Sequence, residues 1–93
     1  MEKNDDYEKK AETLKALANP VRLCIVKGLL DEGCNVSKIQ ECLKVPQSTI
    51  SQHLSKLKYA GILTGVRCGT EICYNIKNED IRELIRVIFR ILK

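Results

Sequence analysis

Residues 47–61, QSTISQHLSKLKYAG, decide the fold because they combine an apolar and a polar face at helical spacing. Ile50, Leu54 and Leu57 recur at positions i, i+4 and i+7, which predicts a helix with one aliphatic side against a core. The opposite side carries short polar side chains and lysine: Ser48, Thr49, Gln52, His53 and Lys56. Such a face suits the major groove of DNA, where base edges offer hydrogen-bond partners and phosphates attract lysine. On polarity alone, a solvated helix face is the alternative, so the flanking sequence has to decide.

Three helical patterns precede this segment. The first covers residues 7–19 and stops before Pro20, because proline disfavours a helical residue before it and suits the first position of a new helix. The second helix therefore runs from Pro20 to about residue 31. Asn35 can cap a third helix over residues 36–43. The short stretch 44–46 then connects the third helix to the helix that begins at residue 47, and this spacing is typical of a helix-turn-helix.

The pattern changes from helical to alternating after Gly61, which ends the recognition helix. Residues 62–68 and 71–76 flank Gly69-Thr70, a pair suited to a type II′ turn, and predict a β-hairpin, or wing. Asn78 can then cap a last helix. Its apolar residues form a broad stripe: Ile81, Leu84, Ile85, Ile88, Ile91 and Leu92. The fold class is thus mainly α with a β-hairpin, in the order α-α-α-α-β-β-α.

The last helix carries more apolar surface than a small domain can cover. Together with the first helix, it would be buried most simply across a two-fold axis, which predicts a homodimer joined through the first and last helices. A partner subunit would also extend the core of a chain of only 93 residues.

Composition describes one domain over residues 1–93, with 44% hydrophobic and 30% charged residues. The formal net charge is +4, and residues 35–61 carry four lysines against one glutamate, which favours a nucleic-acid partner. The chain lacks the run of roughly 18 apolar residues that a membrane span needs, and its acidic start is unlike a signal peptide. We therefore expect a cytoplasmic protein without a membrane partner. Five cysteines in a reducing compartment should be thiols, ligands or sensors rather than a disulfide framework.

The order of elements and two sequence motifs resemble the ArsR/SmtB family of winged-helix repressors. The stronger motif is SQHLSKLKYAGIL at residues 51–63, close to that family's Ser-x-His-Leu, then Leu, then Ala-Gly-Leu pattern. The second is Asn-Pro-x-Arg at residues 19–22. The likeness covers nearly the whole chain. It implies a homodimer that binds an imperfect palindrome in a promoter, represses transcription, and is released by a ligand or covalent change.

The resemblance also implies which residues lie at or near the DNA: Gln47, Ser48, Thr49, Ser51, Gln52, His53, Lys56, Lys58, Arg67, Gly69 and Thr70. The two lysines would contact phosphates, and the wing residues would approach the neighbouring minor groove or backbone. A lone histidine rarely holds zinc, which ordinarily requires about three or four ligands, so for His53 we favour a DNA contact or a supporting role behind one. Arg22 is either an exposed charge near a helix start or, by the resemblance, a contact to the DNA backbone.

The metal-binding patterns of that family are missing. Family members bind metal through a Glu-Leu-Cys-Val-Cys-Asp-Leu box at the third helix, or through Asp and His on the last helix. Aligning the final leucine of the box with Ile39 places Asn35 and Ser37 at its two cysteine positions, and no histidine follows Asp80. We therefore expect no required cofactor and no conventional metal site. Thiolates of three cysteines could still converge on a thiophilic metal: Cys24, Cys34 and Cys42.

Two further cysteines flank the predicted wing tip. With a two-residue turn at Gly69-Thr70, Cys68 and Cys73 are diagonal neighbours, with Cβ atoms somewhat under about 7 Å apart. A disulfide needs roughly 3.5 to 4.5 Å, so the bond requires a four-residue turn or a rearrangement. Our hypothesis is that oxidation or persulfidation joins Cys68 to Cys73, distorts the wing and weakens DNA binding. The alternative is that the cysteines, especially Cys24 and Cys42, are small apolar packing residues.

Two other classes of protein compete with a DNA-binding repressor. A cysteine-based enzyme needs a cysteine and a histidine within hydrogen-bond reach, whereas His53 is expected on the side of its helix that faces the groove. A winged-helix module that binds proteins instead of DNA would have no need of the polar face around Gln52. We therefore predict a DNA-binding regulator that is not an enzyme.

Overall fold

The computed structural model describes residues 2–33 and 43–92, with side chains from Asp6 onward. Its elements follow in the order α1 (Glu2–Leu17), α2 (Pro20–Glu32), α3 (Gln47–Tyr59), β1 (Leu63–Cys68), β2 (Glu71–Ile76) and α4 (Glu79–Ile91). The predicted third helix, residues 36–43, lies outside the described residues except for Leu43, which is helical. Cys34 and Cys42 also lie outside them. The described elements have the predicted mainly helical architecture with an antiparallel hairpin.

The predicted start of the first helix is wrong, whereas the predicted glycine at the end of the recognition helix is confirmed. α1 begins at Glu2 rather than at Tyr7. Its first residues lack an apolar period, but Glu and Lys favour helix intrinsically, and Lys10 pairs with Asp6 one turn away. The recognition helix α3 ends at Tyr59, and Gly61, with φ of 81°, provides the predicted left-handed cap just beyond it.

The apolar stripe of α3 lies in the core, as predicted. Ile50, Leu54 and Leu57 are at most 3% exposed, and α3 packs against α2 and β1. The remaining core residues come from every other described element and the turn after α3: Leu17, Ile25, Val26, Leu29, Ile62, Leu63, Ile76 and Ile85. Burial of this stripe fixes which face of α3 is left for solvent or a ligand.

The wing has the register of the predicted two-residue turn. Cys68 pairs with Glu71 and Val66 pairs with Cys73, so Gly69 and Thr70 form the tip. Gly69 has φ of 66°, whereas Thr70 does not adopt a positive φ, which fits the predicted type II′ turn. One more backbone hydrogen bond continues the pairing beyond the strand ends farthest from the tip, from the Lys77 N–H to the Ile62 carbonyl.

Large apolar side chains remain exposed on the first helix and at the end of the last one. Tyr7 and Leu14 on α1 are 60% and 56% exposed, and Ile91 and Leu92 are 64% and 73% exposed. Ile85 on α4 is fully buried within the subunit, so α4 has one apolar side in the core and another outside it. None of the described helices has the length and apolar character to cross a membrane.

Candidate nucleic-acid interface

The outer face of α3 is polar and accessible. Gln47, Ser48, Ser51, Gln52 and Lys56 are exposed, whereas Thr49 and His53 are half-buried. The chain enters the helix through Pro46, whose carbonyl accepts hydrogen bonds from the backbone N–H groups of Thr49 and Ile50. The first turn contains no acidic residue, so its free N–H groups and positive dipole end favour an approaching anion such as a phosphate.

Positive charge lies at the other end of α3 and on the wing. Lys56 and Lys58 are in the last turn of the helix, and Arg67 is exposed on β1 next to the exposed tip residues Gly69 and Thr70. All three cationic side chains lie outside the apolar core, which leaves them accessible to phosphates.

Arg22 joins three helices. Its Nε–H donates to the Ala16 carbonyl in the last turn of α1, one of the carbonyls that a helix end leaves without an intrahelical partner. Its Nη1 lies 3.3 Å from Nδ1 of His53 on α3. The backbone of Arg22 is fixed as well, because Asn19 caps α2 by accepting from the N–H groups of Val21 and Arg22 at 2.9 and 3.1 Å. We call the Arg22 side chain with the Ala16 carbonyl and His53 the Arg22 bracket.

The contact with Arg22 determines the tautomer of His53 and favours its neutral form. A guanidinium can only donate hydrogen bonds, so Nδ1 must accept and the ring proton must sit on Nε2. Burial, then the positive charges of Arg22 and Lys56, lower the pKa of His53 below its ordinary value of 6.5. His53 is therefore neutral at physiological pH, and Arg22 is the partner of its Nδ1.

An open groove of about 500 Å³ adjoins the bracket between α1 and α3. Three cationic side chains, Lys15, Arg22 and Lys56, line it against the single carboxylate of Glu12, and the 96% exposed ring of Tyr59 lies at its edge. Its electrostatic character matches the rest of the α3 surface, which favours anions.

The two cysteines that flank the wing tip are not joined to each other in this structure. Cys68 is an exposed free thiol, whereas Cys73 is disulfide-bonded, so the expectation of cysteines without a disulfide is wrong for Cys73. The two-residue turn explains why Cys68 and Cys73 are not joined, because it leaves them in diagonal positions. Oxidation that joins Cys68 to Cys73 stays a hypothesis. Cys24 is a half-buried free thiol on α2. Within residues 2–33 and 43–92, no three His, Cys, Asp or Glu side chains cluster in a way that could hold a metal ion.

Sequence reasoning misses the cap and the bracket. The pattern around Asn19 predicts a helix break there, although asparagine before proline at the start of an apolar period is also a recognisable cap signal. The contact between Arg22 and His53 joins residues 31 positions apart, and no local periodicity encodes it.

The folded arrangement defines a winged helix-turn-helix protein with a polar, cationic recognition surface. A family model described as bacterial regulatory protein, arsR family, matches residues 19–65. The chain belongs to this family, as the sequence motifs indicate. It is therefore a transcriptional regulator with a DNA-binding domain and not an enzyme, so the cysteine-enzyme alternative is wrong.

Relatives and solved structures agree with this assignment. The chain is 45% identical over 85 residues to an HTH-type transcriptional regulator of Methanocaldococcus jannaschii, covering 90% of this chain and 96% of that protein. It is 43% identical over 82 residues to the transcriptional repressor PagR of Bacillus anthracis, covering 87% and 82% of the two chains. A homodimeric winged helix-turn-helix DNA-binding domain from Mycobacterium bovis superposes with a TM-score of 0.86 at 32% identity, covering 97% of this chain and 83% of that one.

Proposed function

We propose that the chain is a homodimeric repressor that binds a palindromic operator in double-stranded DNA. The observation that carries the proposal is the division of α3 into a buried stripe, Ile50, Leu54 and Leu57, and an exposed polar face. A helix held in this way can present Ser48 and Gln52 to base edges in the major groove without disturbing the core.

The dimer is supported by the exposed apolar surface of the first and last helices. A two-fold partner would bury apolar side chains that are more than half exposed in the subunit, in a self-complementary interface: Tyr7, Leu14, Ile91 and Leu92. The similar M. bovis domain is homodimeric, which supports the same assembly for this chain. Two copies of α3 would then enter successive major grooves about 34 to 36 Å apart on one side of the duplex.

Phosphate contacts would orient the dimer without specifying sequence. Lys56 and Lys58 follow the reading face along α3, and Arg67 with the wing tip would reach the backbone or the adjacent minor groove. Each lysine that neutralises a phosphate contributes about −0.9 to the slope of log K against log salt concentration. Lys58→Gln should therefore weaken binding to all sequences equally and reduce that slope.

The test begins with selection of binding sites from a library of random-sequence duplexes, using purified full-length protein. The selected duplex and a random duplex of equal length are then compared in binding assays at several salt concentrations. Gln52→Ala should cost about 1 to 3 kcal/mol of discrimination between the two if Gln52 reads a base. An equal loss on both duplexes would assign Gln52 to the backbone, and enrichment of no site by the wild-type protein would refute the proposed function.

We further propose that DNA binding needs no cofactor, that the protein acts in the cytoplasm, and that its inducer is a thiol-reactive oxidant or persulfide or a thiophilic metal. The exposed thiol of Cys68 beside the wing tip supports this class of inducer. Titration of the reduced, DNA-bound protein with zinc, cadmium, arsenite, peroxide and polysulfide tests it. Release by none of these agents, or equal release of a Cys68→Ser variant, would count against a role for this thiol.

A further inference from the structure

We infer that Arg22 is a positioning residue for DNA recognition, which holds α3 in its reading orientation through His53 instead of contacting a phosphate itself. This inference rests on the proposed function. It assigns to the Asn-Pro-x-Arg motif a structural role, in which Arg22 holds α3 in place. His53 is the residue of α3 that Arg22 contacts.

The geometry of Arg22 carries the inference. Two of its guanidinium nitrogens are already directed to protein acceptors, Nε to the Ala16 carbonyl and Nη1 to Nδ1 of His53. The acceptors belong to different helices, α1 and α3, so the planar guanidinium sets the distance between them. These two partners fix the plane of the guanidinium, so a phosphate in the same rotamer could bind only the N–H groups that remain on Nη1 and Nη2.

The anchoring of Arg22 makes the bracket rigid. The Asn19 side chain fixes the backbone of Arg22 at the start of α2, and the negative dipole end of α1 attracts the guanidinium. On the other side, His53 lies one residue before buried Leu54 and one after exposed Gln52. A rotation of α3 that moved Gln52 relative to the DNA would therefore also move His53 away from Arg22.

The bracket works only while His53 is neutral, because a protonated ring cannot accept from Arg22. The charged groups around it are Arg22 itself on α2, Lys56 on α3, and Lys15 and Glu12 of α1 in the adjoining groove. The cations outnumber the single carboxylate, so the surroundings oppose protonation of the ring. Weakened specific binding in mildly acidic solution is the expected signature.

The experiment uses two substitutions at each end of the bracket. Arg22→Lys keeps the charge but can donate from only one terminal nitrogen, and Arg22→Gln removes the charge. His53→Asn places an amide oxygen near the position of Nδ1 and can accept without titrating, whereas His53→Leu cannot accept. Affinity is measured by fluorescence anisotropy on the selected duplex and on a random duplex, across salt concentration and pH, with the full-length protein.

We expect three variants each to lose about tenfold in affinity for the selected duplex: Arg22→Lys, Arg22→Gln and His53→Leu. A loss of this size is typical when the interaction between two residues in contact is removed. The salt slope and the affinity for random DNA should remain those of the wild type. The Arg22→Gln/His53→Leu double variant should lose no more than Arg22→Gln alone, because that substitution already removes the contact with His53. His53→Asn should retain most of the affinity and lose the pH dependence.

A direct bond from Arg22 to a phosphate predicts a different set of results and would overturn the inference. Arg22→Lys would then bind like the wild type, and Arg22→Gln would bind both duplexes more weakly, with a salt slope shallower by about 0.9 for each phosphate that is no longer neutralised. Variants that all bind like the wild type would overturn it as well. Failure of the proposed function is distinguishable, because then the wild-type protein itself selects no duplex.

Discussion

His53 couples the stability of the protein to pH in a direction that follows from its surroundings. Its pKa in the folded protein lies below the ordinary 6.5, owing to burial and the nearby Arg22 and Lys56 charges. The unfolded chain therefore takes up a proton first as the pH falls, and unfolding becomes more favourable. The contribution of His53 to stability is complete above pH 6.5 and is lost as the pH falls through that value toward the folded pKa.

We expect the midpoint of thermal unfolding to fall more steeply between about pH 7 and about pH 5 in the wild type than in His53→Asn, which cannot titrate. The variant is a matched control, because it retains an acceptor for Arg22. Glu79 does not interfere in this range, because its pKa is lowered below its ordinary 4.5, chiefly by a hydrogen bond from Arg86. Parallel profiles for the two proteins would show that His53 does not titrate differently on folding.

Residue-level prediction from sequence succeeds where one local period determines the outcome. Ile50, Leu54 and Leu57 are buried because burial of one helix stripe is the main driving force for helix packing, and the spacing alone reveals that stripe. The partnership of Arg22 with His53 is out of reach, because both side chains are polar and their proximity depends on how α1, α2 and α3 pack.

At the scale of elements, the junction between α1 and α2 explains the Asn-Pro-x-Arg motif. Asn19 caps α2, Pro20 occupies a first-turn position where its missing N–H costs nothing, and Arg22 closes the end of α1. One short segment thereby ends one helix, begins the next and reaches the recognition helix.

The cap can be tested through the stability of the protein. Asn19→Ala should lower the free energy of unfolding by about 1 kcal/mol, because the N–H groups of Val21 and Arg22 lose their acceptor. Asn19→Ser supplies another capping oxygen and should recover most of the loss. Chemical denaturation with a common slope for all three proteins provides the measurement. An equal loss in both variants would mean that the contribution of Asn19 lies elsewhere than in its cap.

The wing shows how far turn chemistry predicts an element and where prediction stops. Gly69-Thr70 indicates a two-residue type II′ turn, and the paired strands have the corresponding register. The same register leaves Cys68 and Cys73 in diagonal positions, so the hypothesised bond between them would require a rearrangement of the wing. The sequence alone does not choose between a two-residue and a four-residue turn, because a four-residue loop around the same glycine is also compatible with alternating strands.

At the scale of the whole molecule, the proposed dimer would bring α1 and α4 into one interface. α1 contributes exposed Tyr7 and Leu14, and the end of α4 contributes Ile91 and Leu92. Their apolar surface adds nothing to the core of a single subunit. In a dimer it would fix the separation and relative direction of the two copies of α3, and hence the half-site spacing. Dimer strength and operator affinity should therefore change together.

Leu14→Glu and Ile91→Glu test this connection. Both positions are exposed in the subunit, so each change should cost the isolated fold little, whereas a carboxylate buried against apolar side chains in the interface is strongly unfavourable. Sedimentation velocity should show monomers at concentrations where the wild type is dimeric. Affinity for the selected palindrome should fall by orders of magnitude while binding to a single half-site is retained, because the linkage between two reading helices is broken.

Lys9→Glu provides the control, since it introduces the same side chain at a polar, exposed position of α1. It should remain dimeric and bind the palindrome nearly as well as the wild type. The coupling of assembly to recognition would be contradicted by a monomeric Leu14→Glu that still binds the palindrome tightly. A dimeric Leu14→Glu and Ile91→Glu would instead locate the interface on another face. Because oligomeric state and DNA affinity are measured independently, the two results together separate a misplaced interface from a recognition helix that works without its partner.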